Sequence, residues 1–381
     1  MVRPSAARVA LVTSHPLSAP WDSADKHLAA AVARMLSQYS FVSTRRVGAG
    51  EHEVPGCRIP VFSRTGRPGR LASAQIGTFA LTALAFVDLV HVVVTIGPGF
   101  PQLARALYAV PSRLRRPMLH TAPAVVDPTV LSSGTGPVPN LGTTVVLSEH
   151  SAGMLRAAGF PDVRVVPPSV PLARWTVAAR PAGEPIVLFA GHYDEGGGAE
   201  TAVEAFAACA VRDRARLVLA MRSRPGQDET TLARGLRDHA RARGIERIDV
   251  RGHVSDMAAL VRSASVVILP AAKLAGKADV PVVLLEAMAT GRPVITSDLP
   301  SMAALGPAAA RVGPDATDTA RAIDDLLTCE DMWQRRASAG RQLVEREFSE
   351  AAVARLYGRL YAELLASGTR QQQPQHGKEL Q

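Results

Sequence analysis

Short β-branched runs alternate with alanine-rich helical stretches along this chain, and the alternation is played through twice. The first series runs RVALVTS, ADKHLAAAVARMLSQY, LVHVVVTIG, FPQLARALYAV, RPMLHTA and GTTVVLSE, and closes with VRVVPPSVPLARW. The second runs PIVLFAG, AETAVEAFAACAV, ARLVLAM, TTLARGLRDHARARG, IDVRGHV, MAALVRSA, SVVILP, VVLLEAMATG and RPVITSD. A strand that is apolar throughout is buried on both faces, and a helix between two such strands returns the chain to start the next one in parallel. The pattern therefore predicts α/β architecture with doubly wound sheets.

At 381 residues the chain is too long for one core, because single cores stop growing beyond about 250 residues. The stretch TVAARPAGE at 176–184 is small, Pro/Gly-containing and without periodicity, and reads as a linker. The expected organisation is two facing Rossmann-like domains, residues 1–175 and 176–345, with a cleft between them as the default ligand site. A helix follows over 346–368 with Ser349 as its N-cap, and the polar tail 369–381 is expected to be disordered.

Apolar residues make up 47% of the chain and aromatics only 4%, which suits helices on parallel strands better than an aromatic-rich sandwich. The formal charge of +9 admits an anionic partner, but the arginines are dispersed and lack interleaved aromatic platforms, so a phosphorylated small ligand is expected rather than nucleic acid. Cys57, Cys209 and Cys329 are isolated and odd in number, forming neither a disulfide framework nor a zinc site. The apolar run before Ser14 is shorter than a secretory signal, and Asp88 and His91 interrupt the most apolar region, which resolves into a helix and a buried strand. A cytoplasmic protein without integral membrane association is expected. No strand-end DxD and no His/Asp/Glu cluster with ligand spacing occurs, so no metal and no cofactor is expected.

Lysine is used only at Lys26, Lys273, Lys277 and Lys378, so the pair in KLAGKADVPVVLLEAMATGRPVITSD needs a reason. In that stretch Pro281 can open a helix, Gly291 can close it and Pro293 can begin the next strand. Glu286 then lies in the early turns. A helix N-terminus attracts an anion, and Glu286 can accept hydrogen bonds from sugar hydroxyls or, equally, satisfy neighbouring backbone groups.

The run VPVVLLEAMATGRPVITSD resembles the signature of GT4-type retaining glycosyltransferases of GT-B fold, which carry two glutamates eight residues apart. LFAG…VEAFA, VRGHVSDMAALVRSASVVILP, VVLSEHSAGMLRAAGFPDVRVVPPSV and FSEAAVARLYGRLYAELL occupy the same order as in that family. The resemblance implies a C-terminal helix returning to the first domain, and a nucleotide diphosphate sugar as donor substrate. Glu286 would hold the ribose, Asp279 or the amides of Val282 and Val283 the sugar hydroxyls, and Gly252, His253 and Val254 the base edge. Gly191 and His192 would face the diphosphate, and His120 is the candidate catalytic histidine, with a satisfied strand histidine as its plain alternative.

Three positions depart from the family. Its first glutamate falls on Ala278, beside Asp279; its donor-holding arginine falls on His192; its lysine falls on Gly197. Lys273 and Lys277 are the expected replacements for the lost charge, with Arg222 and Arg224 next, and solvated loop lysines are the alternative. His15, Trp21 and Asp25 after the first strand, and Glu149 and His150 after another, are candidates for an acceptor pocket, Ser148 or Glu149 being equally fitted to cap a helix.

These readings converge on a glycosyltransferase that moves a sugar to a small-molecule alcohol, amine or thiol, with retention implied by the resemblance. The departures point to a bacterial specialised-metabolite pathway such as antibiotic assembly. Rivals are a GT-B nucleotide-sugar epimerase, which Ala278 disfavours, and a catalytically silent binding partner.

Overall fold

The computed structural model describes residues 6–18, 24–48, 54–62, 78–79, 82–83, 85–97, 100–108, 116–124, 140–224, 226–274, 279–313 and 315–372. The chain divides into two compact units, Met1–Pro168 with Gly276–Asp279 and Glu350–Gln381, and Ser169–Ala275 with Val280–Ser349.

The first unit is a parallel sheet of β1 (Arg8–Thr13), β2 (Ser40–Arg46), β3 (Cys57–Phe62), β4 (Leu89–Val93), β5 (Met118–Ala122), β6 (Thr143–Val146) and β7 (Val163–Val165). Their order is β3-β2-β1-β4-β5-β6-β7. Helices α1 (Ala24–Met35), α2 (Phe100–Tyr108) and α3 (Glu149–Ala157) connect strands within it. Val9–Thr13 and Leu89–Val93 are buried without a break and pair residue for residue, Val9 with Leu89 through Thr13 with Val93. The winding turns back between these two strands, so the carboxyl ends of β1 and β4 flank a topological switch point.

The second unit repeats the plan with β8 (Ile186–His192), α4 (Ala199–Ala208), β9 (Arg216–Arg222), α5 (Glu229–Ala242), β10 (Ile248–Arg251), α6 (Met257–Ser263), β11 (Val266–Leu269), α7 (Val282–Ala289), β12 (Val294–Ser297), β13 (Ala310–Val312), α8 (Ala316–Thr328) and α9 (Glu330–Leu343). The strand order is β10-β9-β8-β11-β12-β13, with the reversal between β8 and β11. Phe189, Phe206, Leu285 and Met288 belong to one continuous core. Five residues of π-helix, Val344–Phe348, lead out of α9.

Helix α10 (Glu350–Gln372) is counted with the first unit. Val353, Tyr357, Leu360 and Tyr361 bury their side chains in the core formed by α1 and the sheet. Two of them also complete a buried polar chain. Tyr361 Oη lies 2.8 Å from His91 Nδ1, His91 Nε2 lies 2.7 Å from Thr121 Oγ1, and that oxygen lies 3.3 Å from Tyr357 Oη. Burial holds the His91 pKa down to about 3, so the ring is neutral and links a hydroxyl at each nitrogen.

Contact boundaries differ from the expected ones. The first unit ends at Pro168, and the expected linker at 176–184 lies inside the second, because Val170 N–H donates to Phe348 O at 2.7 Å and the Trp175 side chain is buried in that unit's core. The last helix starts at Glu350 rather than 346, since the π-helical turn occupies the preceding residues, and it runs to Gln372. Ser349, expected as its N-cap, directly precedes the helix with extended backbone, and its Oγ donates back to Glu345 O at 2.9 Å. The tail beyond 372 lies outside the described residues. Among the described residues, no helix is long and apolar enough to cross a membrane.

Candidate active site

In the second unit the relevant features sit at the carboxyl edge of the sheet, beside the β8/β11 reversal. Pro281, with φ of −64°, starts α7, and the chain leaves it through Gly291 at φ of +74°, as the spacing of Pro281, Gly291 and Pro293 predicts. Asp228, Asp256 and Asp315 cap α5, α6 and α8 through their carboxylates, whereas α4 and α7 begin with no side-chain cap. Their first-turn amides therefore keep their donor capacity for another acceptor.

Glu286 projects from the second turn of α7 and is half-buried. Burial pushes its carboxyl up to about 8, against the pull of the Arg174 and Arg222 guanidinium groups. Arg174 is a residue that sequence reasoning missed. It lies in a turn after the first unit with its guanidinium 5.8 Å from the Trp175 ring centroid, and no motif marks it.

Arg222 ends β9 in register with His192 at the end of β8. Register partners on adjacent parallel strands carry their side chains on the same face, so the arginine stands one strand away from where the family resemblance places it. Gly191 and His192 are half-buried at that strand end. Arg224, a sequence candidate for donor charge, is instead committed to Asp194. Its Nε and Nη2 donate to the two carboxylate oxygens at 2.5 and 2.7 Å, and Gln227 Nε2 donates to Tyr193 O at 3.0 Å. The fork neutralises Asp194 and fixes the loop after β8.

That loop is closed from the other side by the exit of β11. Ala272 N–H donates to Gly196 O at 2.9 Å, and the Lys273 stem lies over Gly196, where a Cβ would stand 3.0 Å from Lys273 Cε. Gly198 adopts φ of +100° and a Cβ there would come 2.9 Å from Pro270 C, so the start of α4 can pass this close only as glycine. Lys273 Nζ is 3.9 Å from the exposed Glu195 carboxylate. The lysine thus covers the turn in which the family's lysine falls on Gly197. Lys277 and Ala278 lie outside the described residues.

Gly252 leaves room for Glu229, whose Oε1 would be 1.9 Å from a Cβ at that position, while Glu229 Oε2 accepts from Ser223 Oγ at 2.9 Å. His253 is exposed and Val254 packs partly on the core. Val282 is 37% exposed at the first position of α7, and Val283 is half-buried.

In the first unit His120 departs from its expected role. It is fully buried on β5, stacked on Phe100 with centroids 4.6 Å apart, and its Nε2 lies 2.9 Å from Val94 O. Burial lowers its pKa to about 4, so the ring is neutral. Asp279, expected at the sugar hydroxyls, is buried and accepts from Ser148 Oγ at 2.9 Å beside the start of α3. Burial raises its pKa, opposed by the Ser151 and Ser148 hydroxyls and by His150. Ser148 is the N-cap of α3, accepting from Ser151 N–H at 3.2 Å. Glu149 and His150 are exposed, and Glu149 pairs with Arg156 at 3.2 Å.

His15 and Asp25 are brought together at the carboxyl end of β1. His15 Nδ1 lies 3.1 Å from Asp25 Oδ2, which also accepts from Ser14 Oγ at 2.9 Å. Trp21 lies outside the described residues. Among the described residues no group of three or more His, Cys, Asp or Glu side chains is placed to hold a metal ion.

Comparison with known proteins agrees with this geometry. Residues 184–329 match the family model described as glycosyl transferases group 1. No curated protein sequence matches the chain. Sucrose-phosphate synthase from Thermosynechococcus elongatus is similar with a TM-score of 0.77 at 21% identity, over 95% of this chain and 100% of that one. Anabaena HepE in complex with UDP and glucose gives 0.74 at 14% identity, over 94% and 100%. A glycosyltransferase from Rickettsia africae gives 0.74 at 15% identity, over 95% and 99%. Residues 184–329 of the second unit are thus similar to group 1 glycosyl transferases, in a chain that has the GT-B fold.

Proposed function

We propose that this glycosyltransferase takes its sugar from a nucleotide diphosphate donor bound on the second unit, and passes it to a small-molecule alcohol, amine or thiol. The observation that carries this reading is the pair of relocated cations, Arg222 in register with His192 and Lys273 laid over Gly196. Lys273 lies over the turn before α4, and Arg222 acts on Glu286 in α7, so a diphosphate held by the open amides of these helices would also meet two positive side chains. Loss of the family's arginine and lysine would then be offset within the same edge of the sheet. Glu286 would meet the ribose hydroxyls, its neighbours Val282 and Val283 the sugar through their amides, and Gly252 to Val254 the base.

With leaving-group charge stabilised by fixed donors, the chemistry needs neither a protein nucleophile nor a resident metal or cofactor. Retention follows the resemblance and is read from the anomeric configuration of the product. The same reading places the protein in the cytoplasm of a bacterium, in specialised metabolism, because its departures from the family motif fit an unusual donor or acceptor.

The test is nucleotide binding. UDP, the ligand of the HepE complex, is the first nucleotide to screen by thermal shift, followed by GDP, ADP and TDP. A nucleotide at a hundred times its Kd should stabilise by about 2.7 kcal/mol. Arg222→Ala and Lys273→Ala should each weaken the binding nucleotide about tenfold or more, as expected for loss of one charge-assisted contact. Unchanged affinity in both variants would reject the relocated-cation reading.

A further inference from the structure

We propose that the second unit carries a further small-molecule site at the amino edge of its sheet, shaped for an oxyanion, a carboxylate or a phosphate. A cavity of about 460 Å³ opens there between residues 177–180 and α9, within the size range of small-molecule sites, roughly 300–1,000 Å³. Trp333 and Gly291 line it. Trp333 Nε1 donates to Ser265 O at 2.7 Å, directly before β11 begins, and Gly291 leads from α7 into β12. Both therefore stand at the edge where these strands start. His192 and Gly196 lie at the opposite edge, past the end of β8, so this site is separate from the proposed diphosphate site.

The charge around this cavity does not balance. Arg180 and Arg292 stand against the Trp333 indole, their guanidinium carbons 5.2 and 5.7 Å from its ring centroid. Arg180 donates to the Glu330 carboxylate and to Leu327 O, and Arg341 donates through Nε to Glu345 at 2.6 Å and through Nη1 to Ala289 O at 2.5 Å. Arg292 has no carboxylate partner among the described residues. It is wholly buried, its Nη2 donates to Ala178 O and Ala179 O at 2.9 and 2.7 Å, and its Nε and Nη1 meet no acceptor. Burial lowers its pKa to about 10, so it keeps its charge at neutral pH. Three guanidinium groups thus face two carboxylates, and the surplus charge sits behind backbone that lines the cavity. Carbonyls and an indole offset only part of the cost of burying a charge, which is ordinarily met by an ion of opposite sign.

The lining is matched to an anion rather than a cation. Among the described residues that form it none is acidic, and Arg180 and Arg341 both belong to it. No hydrogen bond within the described residues engages Arg180 Nε or Arg341 Nη2, so each keeps a donor for a ligand. Gln334, Ser338 and Gln342 recur at every fourth residue of α9 and so form one row along the cavity. Their amides and hydroxyl suit the polar body of a ligand whose oxyanion meets the arginines, while Ala337 and Val177, the latter 60% exposed, offer apolar surface.

Another cavity of this unit, of about 640 Å³ beside β13, lacks these features. Asp298 and Asp325 line it together with Arg311 and Arg336, Arg311 pairs with Asp298 at 2.9 Å, and Arg336 donates to Ala309 O at 3.2 Å. Two acids stand against two arginines there, so no charge is left over.

Trp333 reports on the site, because its indole N–H is one of only three in the chain and its ring lies beside two of the arginines. The full chain is titrated with inorganic phosphate, and separately with acetate, each against chloride at equal ionic strength, while the indole N–H signals are followed by NMR. A saturable shift of the Trp333 signal is expected with at least one of the two, and the anion with the lower Kd identifies the oxyanion. Arg180→Ala should weaken that binding about tenfold or more, as for loss of one charge-assisted contact. Arg292→Met, which removes the surplus charge, should abolish saturation over the same range. If that variant fails to fold, Ser338→Phe takes its place, since it fills the cavity from an exposed helix position and leaves all three arginines. It too should abolish binding. Arg222→Ala combined with Lys273→Ala should leave the Kd within about twofold of wild type, because distant sites act independently. No saturable shift with either anion, or a shift unchanged in Arg180→Ala and Ser338→Phe, would overturn the proposal. A shift lost on combining Arg222→Ala with Lys273→Ala would assign the anion to the carboxyl edge and overturn it as well.

Discussion

Glu286 combines a half-buried carboxyl with two arginines that only partly offset its desolvation, leaving its pKa at about 8 instead of the ordinary 4.5. Between those two values the folded chain holds a proton that the unfolded chain releases. Stability contributed by the protonated form is therefore complete below the ordinary value and is lost as pH rises through about 8. Glu286→Gln cannot titrate, so its melting temperature should rise relative to wild type as pH goes from about 5 to about 8.5. With about 1.4 kcal/mol for each unit of pKa shift and 2–4 °C for each kcal/mol, the gap should widen by at least about 3 °C. Parallel melting profiles of the two proteins over that range would show Glu286 ionised in the folded chain. The residue itself is readable from LLEAMATG, but its charge state is not, because Arg174 approaches from a turn more than a hundred residues away and carries no motif. His120 shows the converse. A histidine within a strand can face ligand or core, and the stacking of Phe100 from α2 on its ring is a contact that the sequence does not show.

Elements were legible where burial is two-sided. β1, β4, β8 and β11 read as continuous apolar runs because parallel central strands are covered on both faces. The strands that escaped are β2, β3 and β13. β3 and β13 are sheet edges, β13 is three residues long, and β3 carries Pro60, which an edge tolerates because no ladder bond is demanded on its open side. β2 is SFVSTRR, whose arginines and serines hide a strand of mixed exposure. At the start of α4 the sequence shows three consecutive glycines, Gly196 to Gly198, while the packing of β11's exit upon them is a non-local fact. Gly198→Ala must accept φ of +100° and a contact to Pro270, so it should destabilise by roughly 1–3 kcal/mol. If the Lys273 position depends on that packing, nucleotide affinity should fall in the same variant under conditions where it is fully folded. Urea denaturation with titration calorimetry checks both, and wild-type stability would mean that the turn relaxes freely.

Over the whole molecule the two contact units are not two consecutive lengths of chain, since α10 is counted with the first although it follows the second. Its recurring apolar positions predict a helix, but not which core receives it. That depends on Val353, Tyr357, Leu360 and Tyr361 meeting α1 and the first sheet, and on His91 joining Tyr361 to Thr121. Ending the chain at Ser349 removes all of these at once. Loss of even one large buried side chain costs about 3–5 kcal/mol, and a domain has only about 5–15 kcal/mol in total. It would also leave His91 Nδ1 without its phenol partner in an apolar surrounding. Hydrogen exchange should therefore show β1, β4 and β5 losing protection in the shortened chain while β8, β11 and α7 keep theirs. The second unit should still bind nucleotide with an affinity close to that of the full chain, because Arg222, Lys273 and Glu286 all belong to it. Protection lost equally from both sheets would mean that the units fold as one cooperative body, and protection kept in both would mean that α10 adds little to the first core.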